Sequence, residues 1–310
     1  MDEEHGLLTV SVSPHIHGNT TTNRIMIDVI VALVPAFIAS VLIFGARAVL
    51  VVFVCTATCV ACEWAYEKAM RKEITVKDFS AVITGVLLAF NLPVGIPIWQ
   101  AMFGSAVAII MVKQLFGGLG KNFANPAVTA RIVMFLAFSV SMTTWVLPLD
   151  GTTGATPLAL LSGGDSEALP KLTNMLLGLR GGTLGETCAP ALLLGGIYLM
   201  VRRVISWHTP AVFIASVFAF TAILGQDPVY HVLSGGLLLG AIFMATDYVT
   251  TPYTNAGRLV FGAGAGLLTV LFRVYGSFPE GVSFAILLMN ILTPYINKLT
   301  EKKPRGALKQ

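Results

Sequence analysis

Charged residues are scarce in this sequence: only 12% of its 310 positions are Asp, Glu, Lys or Arg, about half the share found in a typical soluble domain. The charges occur in short clusters between long apolar runs. No basic face with interspersed aromatic residues is present, which excludes a nucleic-acid-binding protein. Apolar runs of about 20 residues match the hydrocarbon core of a bilayer, so the sequence predicts an integral membrane protein in contact with lipid.

A cleavable secretory signal is also lacking. The first 24 residues are polar, include Asp2, Glu3 and Glu4, and contain no short apolar core before a small-residue cleavage site. We therefore expect the first apolar run to act as an uncleaved insertion signal.

Cysteine is rare as well, with four in the chain. Three of them, Cys55, Cys59 and Cys62, have the spacing that places them on one face of a helix. Packing within a helix interface is the simpler interpretation. A metal site is the alternative, and it needs further ligands, for example from a partner.

Ten apolar runs are candidates for membrane-spanning helices. The third is short and is followed by the turn Pro93–Pro97, which indicates a half-helix or a re-entrant segment. The expected fold class is an all-α integral membrane protein with about ten transmembrane helices. The runs are Ile25–Phe44, Ala48–Trp64, Phe79–Leu92, Ile98–Phe116, Pro126–Trp145, Cys188–Val204, Pro210–Leu224, Tyr230–Thr246, Leu259–Tyr275 and Phe284–Ile296.

Lys and Arg are distributed unevenly between the two sides that ten spans create. With both termini in the cytoplasm, the outside segments hold only Arg47, Lys171, Arg180 and Arg273. Arg131 falls within the fifth helix, and all other basic residues lie inside. Because basic residues concentrate on the cytoplasmic side, we expect the N-in, C-in orientation.

This orientation predicts five regions along the chain. They are a cytoplasmic amino-terminal segment (1–24), helices 1–5 (25–145), an extracytoplasmic loop (146–187), helices 6–10 (188–297) and a basic cytoplasmic tail (298–310).

A weak internal repeat follows two of the predicted helices. Gly120–Pro126, continuing to Arg131, resembles Thr246–Pro252, continuing to Arg258. This similarity suggests two five-helix repeats. Small residues within the apolar runs predict close helix packing; they are Gly236, Gly240, Gly262, Gly264 and Gly266.

The most informative stretch is Leu149-Asp-Gly-Thr-Thr-Gly-Ala-Thr-Pro-Leu158, in the predicted outside loop. It is rich in glycine and hydroxyl groups and has a carboxylate near its start. One interpretation is an Asp-initiated turn before a short interfacial helix, with Thr156 as the N-cap and Pro157 as the first helical residue.

The run from Asp150 to Thr156 also resembles the flavinylation motif of the flavin-carrying membrane subunits of the Rnf and Nqr respiratory complexes. In that motif the last threonine carries FMN through a phosphoester bond. The resemblance implies covalent FMN on Thr156 and a flavin transferase that acts outside the cytoplasm, so we expect an accessible loop and an exposed hydroxyl. The other motif positions implied are Asp150, Gly151, Thr153, Gly154 and Ala155.

Three further segments carry the resemblance, which covers residues 8 to 297. Val10–Ile16 followed by Arg24–Pro35 is similar to the amino-terminal signature of the RnfD family. Phe116–Pro126 and Phe243–Asp247 resemble two interior motifs shared with the Nqr counterpart. The short amino terminus favours the Rnf family over Nqr. The sequence after Asp247 departs from the pattern.

The resemblance also implies a second flavin, a non-covalent riboflavin between helices nearer the cytoplasm. The matching positions are Asn122, Asn125, Thr246 and Asp247. Their amide, hydroxyl and carboxylate groups suit the carbonyl acceptors and imide N–H of an isoalloxazine ring. The alternative is that Asn122 and Asn125 cap the fifth helix and Asp247 caps the ninth.

Isolated ionisable residues are interpreted more simply. Asp28 and Glu63 lie near helix ends, where carboxylates usually pair or extend to the interface, although an ion pathway is conceivable. His15 and His17 are too few for a metal site. His208 and His231 are expected to be interfacial loop residues.

The resemblance implies an electron-transfer subunit of an ion-translocating oxidoreductase (a translocase) in the cell membrane of a prokaryote. Electrons would pass between ferredoxin and NAD through the flavins, coupled to Na⁺ or H⁺ transport, with no catalytic residue and no metal in this chain. The implied partners are the other Rnf subunits (A, B, C, E and G). The alternative is a small-solute transporter or channel, because the family's scaffold is thought to resemble urea transporters.

Overall fold

The computed structural model describes residues 21–148, 152–163, 169–186, 188–276 and 281–301. Within these ranges the chain is largely helical, and the strands form one two-stranded antiparallel hairpin. The amino-terminal segment 1–20, which holds His15 and His17, and residues 302–310 of the tail lie outside the described residues.

Fourteen α-helices are present in the described part of the chain. In order, α1 to α14 are Thr22–Phe44, Ala46–Ala69, Ser80–Phe90, Ile98–Ala106, Pro126–Ala137, Ser139–Thr143, Pro157–Gly163, Leu172–Leu177, Ala189–Val201, His208–Ile223, Pro228–Leu233, Leu237–Leu239, Asn255–Val274 and Val282–Thr300. Two π-helical segments, Val107–Gln114 and Gly240–Met244, continue α4 and α12, and 3-10 turns occupy Val76–Asp78 and Leu184–Glu186. The strands are β1 (Trp145–Val146) and β2 (Thr153–Gly154).

Four of these helices (α1, α2, α13 and α14) are long and apolar enough to cross a membrane, and five shorter apolar helices accompany them in the described part of the chain. Their outward faces carry large apolar side chains: Leu42 is 81% exposed and Leu299 85% exposed. Such surfaces are suited to lipid rather than water. The prediction of an all-α, multi-pass membrane protein is confirmed, whereas the count of ten spans and their orientation stay predictions.

The predicted continuous helix Tyr230–Thr246 is wrong. The chain breaks between α11 and α12, where Gly235 and Gly236 have φ angles of 64° and 65°, a region that glycine adopts without steric cost. The break frees carbonyl groups, and Arg273 satisfies them: Nη1 donates to the His231 carbonyl at 2.5 Å and Nη2 to the Ser234 carbonyl at 2.8 Å. Gly236 therefore serves the break rather than helix packing.

Helix α3 is short, as expected, with 11 residues ending at Phe90. Its role as a half-helix or a re-entrant segment stays a prediction. Asn91 follows, and its side-chain amide donates to the Leu87 carbonyl at 2.6 Å. Irregular backbone at membrane depth requires protein partners for its polar groups. Arg47 supplies them by donating from Nε to the Val94 carbonyl at 3.4 Å and from Nη2 to the Ile96 carbonyl at 3.0 Å.

Two other boundaries differ from the sequence-based expectations. The predicted fifth helix ends early, at Ala137, and the chain reaches Trp145 through α6 as a strand residue. The two segments of the internal repeat each follow a π-helical segment, one ending at Gln114 and the other at Met244. The repeat thus has a local structural counterpart, while the five-helix duplication stays a prediction.

Close helix packing depends on small residues, as expected. A Cβ atom at Gly262 would lie 2.9 Å from the Thr209 carbonyl oxygen, so α13 packs tightly on α10. At Gly85 of α3 the corresponding distance to the Thr56 Cα of α2 is 2.6 Å. Cys55 and Cys59 are buried in this part of α2, and Cys59 Sγ lies 3.9 Å from the Ser105 carbonyl. Their packing role is confirmed.

Candidate functional site

The hairpin β1–β2 presents the predicted flavinylation motif. Trp145 pairs with Gly154 and Val146 with Thr153, and the Leu147 amide donates to the Thr152 carbonyl at 2.8 Å. A Cβ atom at Gly154 would lie 2.9 Å from Leu147 Cδ1, so a larger residue here would require the Leu147 side chain to move. Two predicted motif residues, Asp150 and Gly151, lie outside the described residues.

Thr156 begins helix α7 as its N-cap, which confirms that interpretation. Its Oγ1 accepts from the Ala159 amide at 3.2 Å, and Pro157 is the first helical residue. The expected exposure of the hydroxyl is wrong, because Thr156 is only 5% exposed. The cause is local: the helix turns inward and buries Pro157 and Leu158, whereas Thr153 and Ala155 stay exposed.

A cavity of about 100 Å³ lies at the other end of α5. This volume is below the range of about 300–1,000 Å³ typical of small-molecule sites, so a drug-sized ligand would require side chains of the cavity wall to move. It is enclosed by the first turns of α1, α3 and α5, the end of α9 and the segments after both π-helical stretches. All four predicted riboflavin-binding residues line it, namely Asn122, Asn125, Thr246 and Asp247. The sequence motifs therefore meet in space at one site, which we call the α5 cavity.

The hydrogen bonds of these four residues show which of them cap a helix. Asn125 does cap α5, because its Oδ1 accepts from the Ala127 amide at 3.0 Å, and its Nδ2 donates to the Met244 carbonyl at 3.4 Å. Asn122 instead donates to the Ala124 carbonyl at 2.9 Å, so the capping alternative is wrong for it. Thr246 Oγ1 donates to the Ile242 carbonyl at 2.6 Å.

Asp247 is not the cap of α13 either. That cap is Thr254, whose Oγ1 accepts from the Gly257 amide at 2.9 Å. Asp247 lies in the loop before it and accepts from the Val249 amide at 3.4 Å and the Thr250 hydroxyl at 3.3 Å. Burial raises the pKa of Asp247, and these two hydrogen bonds partly oppose the rise.

The walls of the α5 cavity combine apolar side chains with a polar edge. Ile83, Leu87 and Phe243 provide the apolar surface, and the amide, hydroxyl and carboxylate groups provide donors and acceptors. Such a surface suits a flat, largely apolar ring system with hydrogen-bonding atoms along its edge.

A buried ion pair adjoins this cavity. Lys113 Nζ lies 2.5 Å from Glu63 Oε1 and donates to Ser80 Oγ at 2.6 Å. Glu63 is fully buried and Lys113 is 2% exposed. The expectation that the two lone carboxylates pair is confirmed, since Asp28 also pairs with Arg202 at 3.2 Å.

The family model described as NQR2, RnfD, RnfE family matches residues 9–306 of the chain. The chain belongs to this family. It is 46% identical to the D subunit of the Na⁺-translocating ferredoxin:NAD⁺ oxidoreductase complex of Acetobacterium woodii, over 97% of this chain and 96% of that protein. The proton-translocating counterpart from Clostridium ljungdahlii is 42% identical, over 95% of each chain. The D subunit of the ion-translocating oxidoreductase complex of Stutzerimonas stutzeri is 38% identical, over 93% of each.

These relatives carry names of D subunits of ion-translocating oxidoreductase complexes, and the family model spans all of the described residues. The names of the first two differ in the translocated ion, Na⁺ in one and H⁺ in the other. The family therefore includes chains associated with either ion.

Several residues that shape the site are not evident from the sequence. The sequence marks Lys113 only as a basic residue of the inside face, yet it lines the α5 cavity. The sequence feature that could have identified this ion pair is the presence of Lys113 in one apolar run and of Glu63 in another. His231 is buried within α11, so its assignment to a loop is wrong. Arg131 is buried in α5 and donates to Asn91 Oδ1 at 2.9 Å, beside the end of α3.

Proposed function

We propose that this chain is the flavin-carrying membrane subunit of an Rnf-type complex. It transfers electrons between ferredoxin and NAD through covalent FMN on Thr156 and riboflavin in the α5 cavity, with coupled Na⁺ or H⁺ transport by the complex. The observation that carries the proposal is the α5 cavity itself. It joins Asn122 and Asn125 to Thr246 and Asp247, which are more than a hundred positions away in the chain, as in the Asn125–Met244 hydrogen bond.

The relative positions of the two flavin sites support an electron relay across the protein. The α5 cavity meets α5 at Asn125 and Pro126, and the motif hairpin follows the opposite end of α5. Helix α5 has 12 residues, so the two ends are about 18 Å apart along its axis. If the basic residues set the orientation as expected, the cavity faces the cytoplasm and Thr156 faces outside.

Attachment of FMN to Thr156 requires the buried hydroxyl to become accessible. In this step Oγ1 would lose its proton and bond to the phosphorus of the FMN half of FAD. The bond between the two phosphates would break and AMP would leave with no change of oxidation state. The N-cap hydrogen bond to Ala159 must open for this step. Helix α7 has only seven residues, and a helix this short depends on its contacts for stability, which supports opening by the transferase.

In the α5 cavity, the chain's own residues would bind and orient riboflavin. Flavins supply the capacity to accept and release electrons. Asn122 and Asp247 would hold the polar edge of the ring, while Ile83, Leu87 and Phe243 would pack on its faces and exclude water. The chain contains no recognisable nicotinamide or iron–sulfur motif, so other Rnf subunits would provide those centres.

The proposal is tested first by flavin fluorescence of the chain on a denaturing gel after co-production with a flavin transferase. Thr156→Ala should abolish the signal, and Thr156→Ser should retain it because a hydroxyl remains. Thr156→Asn separates attachment from folding, since Asn caps a helix as well as Thr but has no hydroxyl to form the phosphoester.

The matched control is Thr143→Ala, an exposed threonine that lies before the motif, which should fluoresce like the wild type. A fluorescent Thr156→Asn band would place the flavin on another residue. A colourless wild-type band after co-production with an active transferase would remove the covalent flavin from the proposal.

A small-solute transporter or channel is the second candidate, and the interrupted helices favour it. The short helix α3 and the break between α11 and α12 are features that transporters use to build substrate sites. The two functions are separated by reconstituting the purified chain in liposomes. Solute uptake by chains that carry no flavin would favour the transporter, and flavin-dependent electron transfer without uptake would favour the redox subunit.

A further inference from the structure

Lys113 occupies an unusual position at the edge of the α5 cavity. It belongs to the π-helical segment Val107–Gln114, and single-turn π-helical segments occur frequently at functional sites. Lys113 is 2% exposed and is one of the residues that line the cavity, alongside Asn122, Asn125 and Asp247. A basic group is thus buried where the proposed ligand binds.

The hydrogen bonds of Lys113 leave part of its ammonium group available. An ammonium group has three donors. Within the described residues, Nζ contacts Glu63 Oε1 at 2.5 Å and Ser80 Oγ at 2.6 Å. These bonds use two of the three donors, and Lys113 is among the residues that line the cavity.

Glu63 and its neighbours fix the ammonium group in place. Gln114 Nε2 donates to Glu63 Oε1 at 2.9 Å and to Glu67 Oε1 at 3.3 Å. Glu67 also accepts from the Thr75 amide at 3.0 Å. The pair is therefore anchored through Glu67 to the turn that precedes α3, and neither charge can move freely.

A buried ion pair is weak evidence for a stabilising role. Replacement of both partners by apolar groups is often neutral or stabilising, because desolvation of the charges offsets their attraction. Ionisable residues at membrane depth are rare and commonly mark functional sites. The placement of this pair on the wall of a cavity therefore favours a role in binding a ligand.

We propose that Lys113 binds the flavin of the α5 cavity through its third ammonium donor and supplies a positive charge that favours the reduced ring, with Glu63 as its positioning residue. This inference rests on the proposed function, because it needs a flavin in the cavity. The acceptor would be a ring carbonyl or ring nitrogen. Reduction adds negative charge to the ring, so a fixed cation beside it stabilises the reduced form more than the oxidised form.

The test uses the purified intact complex. The extractable, non-covalent flavin is quantified per chain, and its midpoint potential is measured by spectroscopic redox titration. The main variant is the double substitution Glu63→Gln/Lys113→Met, which removes both charges and leaves no unpaired carboxylate. Glu63→Gln alone keeps the ammonium but removes its counter-charge, and Lys113→Arg keeps a cation. Lys72→Met is the control, because Lys72 is exposed and is not among the residues that line the cavity.

The double variant should either lose extractable flavin at unchanged complex assembly or retain it with a lower midpoint potential. A tenfold weaker preference for the reduced form lowers the potential by about 59 mV for a one-electron step. Glu63→Gln should shift the potential in the opposite direction. Lys113→Arg should keep most of the flavin, and Lys72→Met should match the wild type.

Opposite shifts in the two charge variants cannot arise from a merely structural pair. The inference is overturned if the wild-type complex holds extractable flavin whose amount and potential are unchanged in the double variant, a result that leaves the proposed function intact. It is also overturned if Glu63→Gln and Lys113→Arg lose the flavin as completely as the double variant. A wild-type complex without extractable flavin would instead overturn the riboflavin part of the proposed function together with this inference.

Discussion

Arg273 should be among the most sensitive positions for folding, because it satisfies the backbone where the helix breaks between α11 and α12. Its guanidinium donates to the carbonyls of His231 and Ser234 at 2.5 and 2.8 Å, and the residue is 4% exposed. In Arg273→Met these carbonyls lose their charged donor at a buried site. Hydrogen bonds to charged groups contribute about 1.5–3 kcal/mol each. We therefore expect a loss of about 3–6 kcal/mol for the two bonds.

The matched control is Arg202→Met. Arg202 is an arginine that pairs with a carboxylate, Asp28, and its side chain is 38% exposed. Exposed ion pairs contribute only about 0–1 kcal/mol. Thermal unfolding of the detergent-solubilised chain, followed by tryptophan fluorescence, should show a midpoint about 6–12 °C lower for Arg273→Met, at about 2 °C per kcal/mol. If Arg273→Met unfolds within one degree or so of Arg202→Met, the proposed role of Arg273 in supporting the broken helix is wrong.

Three further predictions concern packing and charge. Lys113→Met alone should destabilise the chain by about 3–5 kcal/mol because Glu63 stays buried without its partner, whereas the double variant with Glu63→Gln should unfold near the wild-type temperature; equal midpoints for the single and double variants would contradict this. Gly195→Ala should separate α1 from α9, because a Cβ atom at Gly195 would overlap the Ala32 carbonyl, and overpacking costs about 1–3 kcal/mol; Gly163→Ala, where the space is open, is the control in the same unfolding assay. Burial raises the pKa of Asp247, so the native state favours the protonated carboxyl group. The resulting contribution to stability is present at pH values below the ordinary Asp pKa. It is lost as the pH rises through the raised pKa. Asp247→Asn should thus be more stable than the wild type at neutral pH and equal to it at low pH, and a constant difference across pH would count against the raised pKa.

The class of protein and the main candidate positions are predictable from the sequence. Membrane-spanning helices can be recognised in the sequence because a helix that crosses the hydrocarbon core needs about 20 apolar residues. The short helix α3 is predictable from the two prolines of Pro93–Pro97. The cap at Thr156 is predictable because an N-cap depends on the residues immediately next to it. The four residues of the α5 cavity are identified through their motifs, although their meeting in one cavity is a tertiary feature.

The missed features depend on distances that sequence spacing does not encode. In the sequence, Gly235 and Gly236 are compatible with either close helix packing or a break in the helix. The structure shows a break because Arg273 contacts the carbonyls of Gly235 and Ser234, which lie 38 and 39 residues earlier in the chain. The burial of Thr156 follows from how α7 packs, not from its polar loop composition. The Lys113–Glu63 pair links residues 50 apart, and the cavity beside it gives the pair its significance.

The most direct test of the electron-transfer assignment is the intact mass of the chain purified after co-production with a flavin transferase, followed by mapping of the modified peptide. We predict one FMN-sized increment per chain, located on the peptide that contains Thr156 and absent from Thr156→Asn. An unmodified mass in a complex that still transfers electrons from ferredoxin to NAD would contradict the assignment.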